Sequence, residues 1–401
     1  MSRAGDRHFD EFQDHTLLKH LVLRKYVGAW AAKLRKLRGE VWFVDAFAGE
    51  GSDKKGNPGS PLIAAKLAEP FEHDGQGVMR ILAIEKDAVR CARLQEVMRP
   101  FTERKIAVVR CGTLVERIDK FAKHIGDKPA LFFLDPFGVE GLLEDLLPQL
   151  LHGPQNEVFA LFADVGANRL HAVLLAEGRD PDAEEEVLRA APSLFPEFVE
   201  EDVERSRAAV ERSQRALRST QDASDRILSE ALGAGTLKEA ALVPEHARRE
   251  WLVRRYMRTL VDAGAKYVLA LPMRDASSQR VYQLVYATKS PVGLRTMKEA
   301  MDSALRSTSL PDESTELIRA ELRGNEDAVV RELASHFAGR EVRWTEEKDR
   351  RSDTVKRYLL EQTAIFPMQF PAVLQSLGEA GLVAGKRPIT LRFPPVHRSA
   401  P

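Results

Sequence analysis

Val44-Asp45-Ala46-Phe47-Ala48-Gly49-Glu50-Gly51 decides how this chain reads. The apolar run Val41-Trp42-Phe43-Val44 ends on an acid and passes into a glycine-bearing turn ahead of a helix. β-Branched and aromatic residues in such a run predict a strand. Glycines after it permit positive φ and let the backbone approach a ligand closely. A pyrophosphate cradle needs G-x-G-x-x-G. Gly49 and Gly51 have the first spacing, but Lys54 stands where the third glycine belongs. S-adenosylmethionine carries no pyrophosphate, so the loop favours that cofactor over a dinucleotide.

Downstream, Val78 to Ile84 predicts a strand, Ala88 to Met98 a helix, Ala107 to Val109 a strand and Leu114 to His124 a helix. Ala130 to Leu134 and Val158 to Phe162 predict two further strands. Continuous apolar runs alternating with helices are the mark of parallel strands covered on both faces. The expected fold is α/β, a class I methyltransferase-type Rossmann fold with a doubly wound sheet. Ser60 is expected to cap a helix with Pro61 at its first position. Tyr267 to Leu271 and Val281 to Ala287, joined across Pro272-Met273-Arg274-Asp275, predict an antiparallel edge hairpin.

Ligands of open α/β sheets sit at the carboxyl ends of the strands. Glu85 follows the second strand, where an acid hydrogen-bonds ribose hydroxyls. Cys111-Gly112-Thr113 follows the third and has no carboxylate, leaving the Thr113 hydroxyl either for the cofactor or as a helix cap. The expected cofactor-binding set is therefore Asp45, Phe47, Gly49, Gly51, Glu85 and Thr113. Asp135, Pro136 and Phe137 follow the fourth strand and form the expected catalytic set. There an acid accepts a hydrogen bond from an amine and a ring stacks on a base, which suits methylation of an exocyclic amino group.

Composition narrows the rest. Lys plus Arg and Asp plus Glu both number 60 in 401 residues, so no global charge draws a polyanion. Two cysteines, Cys91 and Cys111, are too few for a zinc cluster or a secreted disulfide framework, and they read as reduced thiols of a cytoplasmic protein. No apolar run reaches membrane-spanning length, and the polar N-terminus lacks signal-peptide character. His15 and His20 are not spaced for one metal on a helix face, so no metal site is expected. No G-x-S-x-G elbow supports a hydrolase.

The segments are read as 1–40, an N-terminal amphipathic helix; 41–166, the cofactor-binding core; and 167–263, a helical insertion with a charge-rich middle. The edge hairpin and a closing helix follow at 264–323, then a winged-helix-like module at 324–401. In the N-terminal helix Leu17, Leu18, Leu21, Val22, Tyr26, Val27, Trp30 and Leu34 read as the apolar face, with Lys19, His20, Arg24, Lys25 and Lys33 between them. In the C-terminal module Lys386 and Arg387 mark a wing turn. Arg350, Arg351, Lys356 and Arg357 are interleaved with Glu346, Glu347, Asp349 and Asp353. Nucleic acid is the candidate partner of that surface.

With these residues in view, the chain resembles the three-Cys-motif partner (TcmP) family, which is methyltransferase-like. The resemblance lies in His15-Thr16, Lys19-His20, Tyr26, Trp30, the Asp45 to Gly51 run, Gly59-Ser60-Pro61 and Leu134-Asp135-Pro136-Phe137-Gly138. It continues in Tyr282 to Thr288, Gly293, Met297 and Lys298. It implies a bacterial gene neighbourhood shared with a three-cysteine protein resembling radical S-adenosylmethionine enzymes, and so a partner of that kind. The chain also resembles amino-methyltransferases of nucleic acids at Asp135-Pro136-Phe137. It departs from their D-P-P-Y pattern, since Phe137 replaces the second proline and Gly138 the aromatic. The expected function is S-adenosylmethionine-dependent methylation of nucleic acid or a nucleobase-like amino group. The alternatives are a non-catalytic partner of the three-cysteine protein and a nucleic-acid-processing protein of another kind.

Overall fold

The structure is a computed structural model, and it describes residues 14–136, 142, 144–163, 225–274, 281–307, 326–345, 354–386 and 389–395. Two compact units divide the chain. One comprises Met1–Asp135, Pro148–Leu161 and Leu260–Pro401; the other comprises Pro136–Leu147 and Phe162–Thr259.

The first unit is built on the expected sheet. Helix α1 (Asp14–Arg38) precedes β1 (Glu40–Asp45), followed by α2 (Ser60–Ala68), β2 (Val78–Glu85), α3 (Ala88–Glu103), β3 (Ala107–Cys111), α4 (Leu114–Ile125) and β4 (Ala130–Leu134). The single turn α5 (Leu147–Leu150) leads into β5 (Glu157–Ala163), and β6 (Tyr267–Arg274), β7 (Val281–Thr288) and α8 (Pro291–Arg306) come after the second unit's helices. The strand order is β3-β2-β1-β4-β5-β7-β6. Pairings of β1 through β5 are parallel, and β6 pairs with β7 antiparallel. Crossovers run outward in both directions from β1 and an antiparallel hairpin closes one edge, which is the class I methyltransferase-type Rossmann arrangement. β6 continues through Pro272, Met273 and Arg274, which the sequence reading gave to the connection. As an edge strand it tolerates a proline that donates no hydrogen bond.

Helix α1 corrects the simple amphipathic reading. Lys19 and Arg35 are buried along with Leu18, Val22, Tyr26 and Trp30. Arg35 reaches the Asp74 carboxylate and the Gly77 carbonyl, and its guanidinium lies 3.9 Å from the centre of the Phe71 ring. Tyr26 donates to the Glu157 carboxylate and lies 2.5 Å from the Tyr286 hydroxyl; Thr288 Oγ1 donates to Glu157 at 2.9 Å. Burial pushes the Glu157 carboxyl up to about 7, against the lowering effect of its hydrogen bonds. Gly293 of α8 lies over this cluster, where a Cβ would sit 2.7 Å from Glu157 Oε1 and 2.8 Å from the Tyr286 hydroxyl. Tyr26, Glu157, Tyr286, Thr288 and Gly293 thus tie α1, β5, β7 and α8 together.

The cysteines also overturn an expectation. Cys91 in α3 and Cys111 at the end of β3 are disulfide-bonded, with Cα atoms 5.7 Å apart. The first turn of α3 and the last residue of β3 meet in space, which spacing along the chain did not reveal. No helix among the described residues is long and apolar enough to cross a membrane.

The C-terminal module comprises α9 (Glu326–His336), β8 (Glu341–Arg343), α10 (Val355–Gln362), α11 (Phe370–Glu379), β9 (Val383–Lys386) and β10 (Ile389–Arg392). Its antiparallel sheet has the order β8-β10-β9 around a core that includes Leu333, Phe337, Trp344, Leu359, Leu377 and Phe393. The order is helix, strand, two helices and two strands, which adds β8 and β9 to the strand expected from sequence. Lys298 of α8 is fully buried and donates to the carbonyls of Leu359, at 2.7 Å, and Thr363. It thereby satisfies carbonyls at the end of α10 that have no partner within the helix.

In the second unit the helices α6 (Thr236–Ala241) and α7 (Glu245–Asp262) are described, with a further helical stretch at 225–232. Most of the expected insertion, including its charge-rich middle, lies outside the described residues.

Candidate functional site

Parallel register brings the strand-end acids to one edge of the sheet. Asp45 is level with Ala83 on one side and Phe133 on the other, and Glu85 is level with Cys111. Asp135 follows two residues after Phe133, roughly 6–7 Å further along the strand direction.

Asp45 is fully buried at the end of β1. Its Oδ1 accepts the Phe47 N–H at 3.2 Å, and buried Ser60 lies beside its carboxylate. Its Oδ2 is buried with no partner. Burial drives this carboxyl up to about 7; Ser60, Phe47 and Lys19 act to lower it, and the neighbouring Asp135 charge raises it. Ser60 does not cap α2, because Gly59 is the N-cap and makes no side-chain bond. The serine is buried beside Asp45 instead.

The glycine loop is built as the sequence requires. Gly49 and Gly51 have φ of +61° and +83°. A Cβ at Gly51 would lie 3.0 Å from Leu94, whereas nothing lies within 4 Å of a Cβ at Gly49. Gly59 packs on the same turn, with a Cβ position 3.0 Å from the Gly51 carbonyl oxygen. The intervening residues fold around buried Asp53, which accepts from the backbone N–H of Lys55 and Asn57 and from Asn57 Nδ2 at 2.7–2.9 Å. This Asx-type turn was not identified from sequence, although an Asp two residues before a lysine and four before an asparagine is its signal.

Glu85 is buried at the end of β2. Its Oε2 accepts the Gly49 N–H at 2.9 Å and its Oε1 the Asp87 N–H at 2.8 Å. The carboxylate therefore fixes the glycine loop, and its remaining lone pairs are those available to a ligand. Phe47 is half-buried beside this turn. At the end of β3, Thr113 is the cap of α4: its Oγ1 accepts the Glu116 N–H while Glu116 returns to the Thr113 N–H. Of the two roles expected for this hydroxyl, the structure shows capping.

Lys19 is the functional residue that sequence reasoning left out of the site. Its ammonium forms an ion pair with Asp135. The lysine is buried and Asp135 partly open, with side-chain exposures of 7% and 19%. Lys19 and Tyr26 lie two helical turns apart, so the lysine belongs to the buried face of α1, and that periodicity was its signal. Pro136 is buried after Asp135, and Phe137 lies outside the described residues. The site thus gathers Lys19, Asp45, Ser60 and Asp135 beside the loop held by Glu85. Among the described residues no group of three or more His, Cys, Asp or Glu is placed to hold a metal ion.

On the C-terminal module several cations are already engaged. Arg357 pairs with Glu361, Arg392 with Glu341, and Lys356 lies 5.5 Å from the centre of the Phe370 ring. Arg350, Arg351, Arg387 and the Lys386 side chain lie outside the described residues.

No family model and no curated protein matches this chain. Among solved structures it is similar to an O-methyltransferase from Bacillus cereus in complex with SAH, at 9% identity over 69% of this chain and 92% of that one, TM-score 0.30. It is also similar to the O-methyltransferase TomG from Streptomyces achromogenes in complex with SAM, at 11% identity over 69% and 91%, TM-score 0.31. The cofactor-bound protein Rv0187 from MTB aligns at 10% identity over 68% and 79%, TM-score 0.31. The fold assignment rests on the strand order and register given above.

Proposed function

We propose that this chain is an S-adenosylmethionine-dependent methyltransferase acting on an amino group of nucleic acid or of a nucleobase-like acceptor. The observation that carries the reading is the buried Oδ2 of Asp45, which has no partner beside a glycine turn with open space over Gly49. An unpaired buried carboxylate oxygen is costly, and a cationic ligand group relieves that cost. S-adenosylmethionine offers an ammonium for Asp45 and ribose hydroxyls for Glu85. When bound, it supplies an electrophilic methyl group on a sulfonium.

Asp135 then orients the acceptor. Its carboxylate takes an N–H from the acceptor amine, an interaction that strengthens as positive charge develops on nitrogen. Lys19, paired with that carboxylate, keeps it aimed until the acceptor arrives.

The ion pair also favours a second reading. An acid already satisfied by Lys19 suits a methyltransferase-fold protein that binds the cofactor and docks on a three-cysteine radical-S-adenosylmethionine-like partner without transferring a methyl group. Calorimetric titration with S-adenosylmethionine and NAD, followed by labelled methyl transfer into cellular RNA and DNA, tests both. Tighter binding of NAD defeats the cofactor assignment. Cofactor binding without labelling of any acceptor moves the assignment to the partner reading.

A further inference from the structure

Away from the crevice, one side of α4 carries a second constellation. Arg117, Lys120, Phe121 and His124 recur at i, i+3, i+4 and i+7 and share a helix face. With Val108 and Arg110 of β3 and Trp42 of β1 they line a cavity of about 310 Å³, at the small end of the range for ligand sites.

The two sides of this cavity differ in chemistry. Its floor is apolar: Trp42 is buried, and its ring meets His124 edge-on with centroids 5.3 Å apart. Its rim is cationic, and no carboxylate lines it. The two acids of α4 are committed elsewhere, Glu116 to the cap at Thr113 and Asp119 to Gln149 Nε2 at 2.7 Å.

Among the described residues, Arg110, Arg117 and Lys120 make no ion pair. Arg110 donates to the Val109 carbonyl and Arg117 to the Cys111 carbonyl, both uncharged partners. Arg117 Nε is buried with no partner. Lys120 is exposed and has no ion pair among the described residues. Fixed cations beside a low-dielectric floor attract an anion more strongly than the same cations on an open surface do.

We propose that this cavity binds a small organic anion with a flat aromatic body, its ring against Phe121 and Trp42 and its carboxylate or phosphate on Arg117 and Lys120. The inference does not depend on the function proposed for the crevice. An aromatic carboxylate and a pyrimidine nucleoside monophosphate share this chemistry, and direct binding separates them.

Equilibrium dialysis of the full chain against 2-naphthoate, uridine monophosphate and the neutral 2-naphthamide is the test, with Lys120→Glu and Arg110→Glu as variants. Saturable binding of either anion, weakened about tenfold or more in both variants, supports the site, and the anion that binds identifies the source. Titration of the same variants with S-adenosylmethionine shows that the crevice is intact. Equal affinity for the neutral amide, unchanged affinity in both variants, or no saturable binding of either anion into the millimolar range overturns the proposal.

Discussion

Lys19 of α1 and Asp135 at the end of β4 form an ion pair between residues far apart in the chain, with the lysine nearly enclosed. A buried charge that loses its partner is strongly destabilising, and partial exposure of the remaining group moderates the loss. Lys19→Met is expected to cost about 1–3 kcal/mol of stability, read as a shift in the denaturant midpoint. Asp135→Asn, which keeps the volume, is expected to leave cofactor affinity nearly unchanged and to lower turnover by a factor on the order of 10². Wild-type turnover in the Asn variant with the true acceptor makes Asp135 a turn residue.

The assignment of Asp45 to the cofactor ammonium predicts that binding depends on pH. Its carboxyl is held up at about 7 in the folded chain, above its unfolded value near 4. The protonated form is therefore favoured by folding, so this group's contribution to stability is fully present below about pH 4 and declines as pH rises to about 7. Binding of a cationic cofactor group needs the ionised form and has the opposite dependence. Affinity for S-adenosylmethionine is expected to rise with pH up to about 7 and then level, with proton release on binding below that point. Calorimetry in buffers of different ionisation enthalpy measures the proton count, and an unchanged count in Asp45→Asn refutes the assignment.

Glu85 accepts from Gly49, and the proposed cofactor would bring its ribose hydroxyls to the same carboxylate. Glu85→Ala is expected to weaken cofactor binding by about 1.5–3 kcal/mol, the range for losing a charged hydrogen-bond acceptor. Glu85→Gln should recover part of the loss, because its amide oxygen still accepts one N–H. Identical affinities of both variants and the parent chain separate the carboxylate from the cofactor.

The Cys91–Cys111 bond closes a loop with a sequence separation of 20 residues. Chain-entropy arguments give such a loop about 3 kcal/mol. The Cys91→Ser, Cys111→Ser double variant should lose that amount under oxidising conditions and match the reduced parent. A thiol titre of two in the unfolded, unreduced protein shows the bond absent.

Gly293 offers a test of sign. Alanine in a helix interior is favoured over glycine by about 1 kcal/mol. Here its methyl group would press on Glu157 and Tyr286, and overpacking costs about 1–3 kcal/mol. Gly293→Ala is expected to lower the thermal midpoint; a raised midpoint shows that the cluster yields.

The sheet was legible because each parallel strand carries an apolar run, Ile81 to Ile84 in β2 and Ala107 to Val109 in β3 among them, and the acids closing three of the strands are visible as the charges that end those runs. Asp45, Glu85 and Asp135 could thus be placed on one edge before any coordinates. Lys19 was passed over because a lysine among leucines reads as the wet face of a helix. Its burial depends on Asp135, more than a hundred residues away. Ser60 read as a cap because Pro61 follows it, yet burial against Asp45 outweighed capping. The cysteines misled for a similar reason, since composition speaks to compartment while pairing depends on where α3 meets β3.

Helix α1 carries Lys19 at the crevice and Tyr26 in the cluster under Gly293. Seven residues of helix cover about 10 Å, and β4 covers about 13 Å from Leu131, the partner of Glu157, to Asp135. The helix therefore runs antiparallel to the strands, pinned at one point and loaded at another. A tilt of the helix that lifted Lys19 from Asp135 would therefore also strain the bond between the Tyr26 phenol and Glu157.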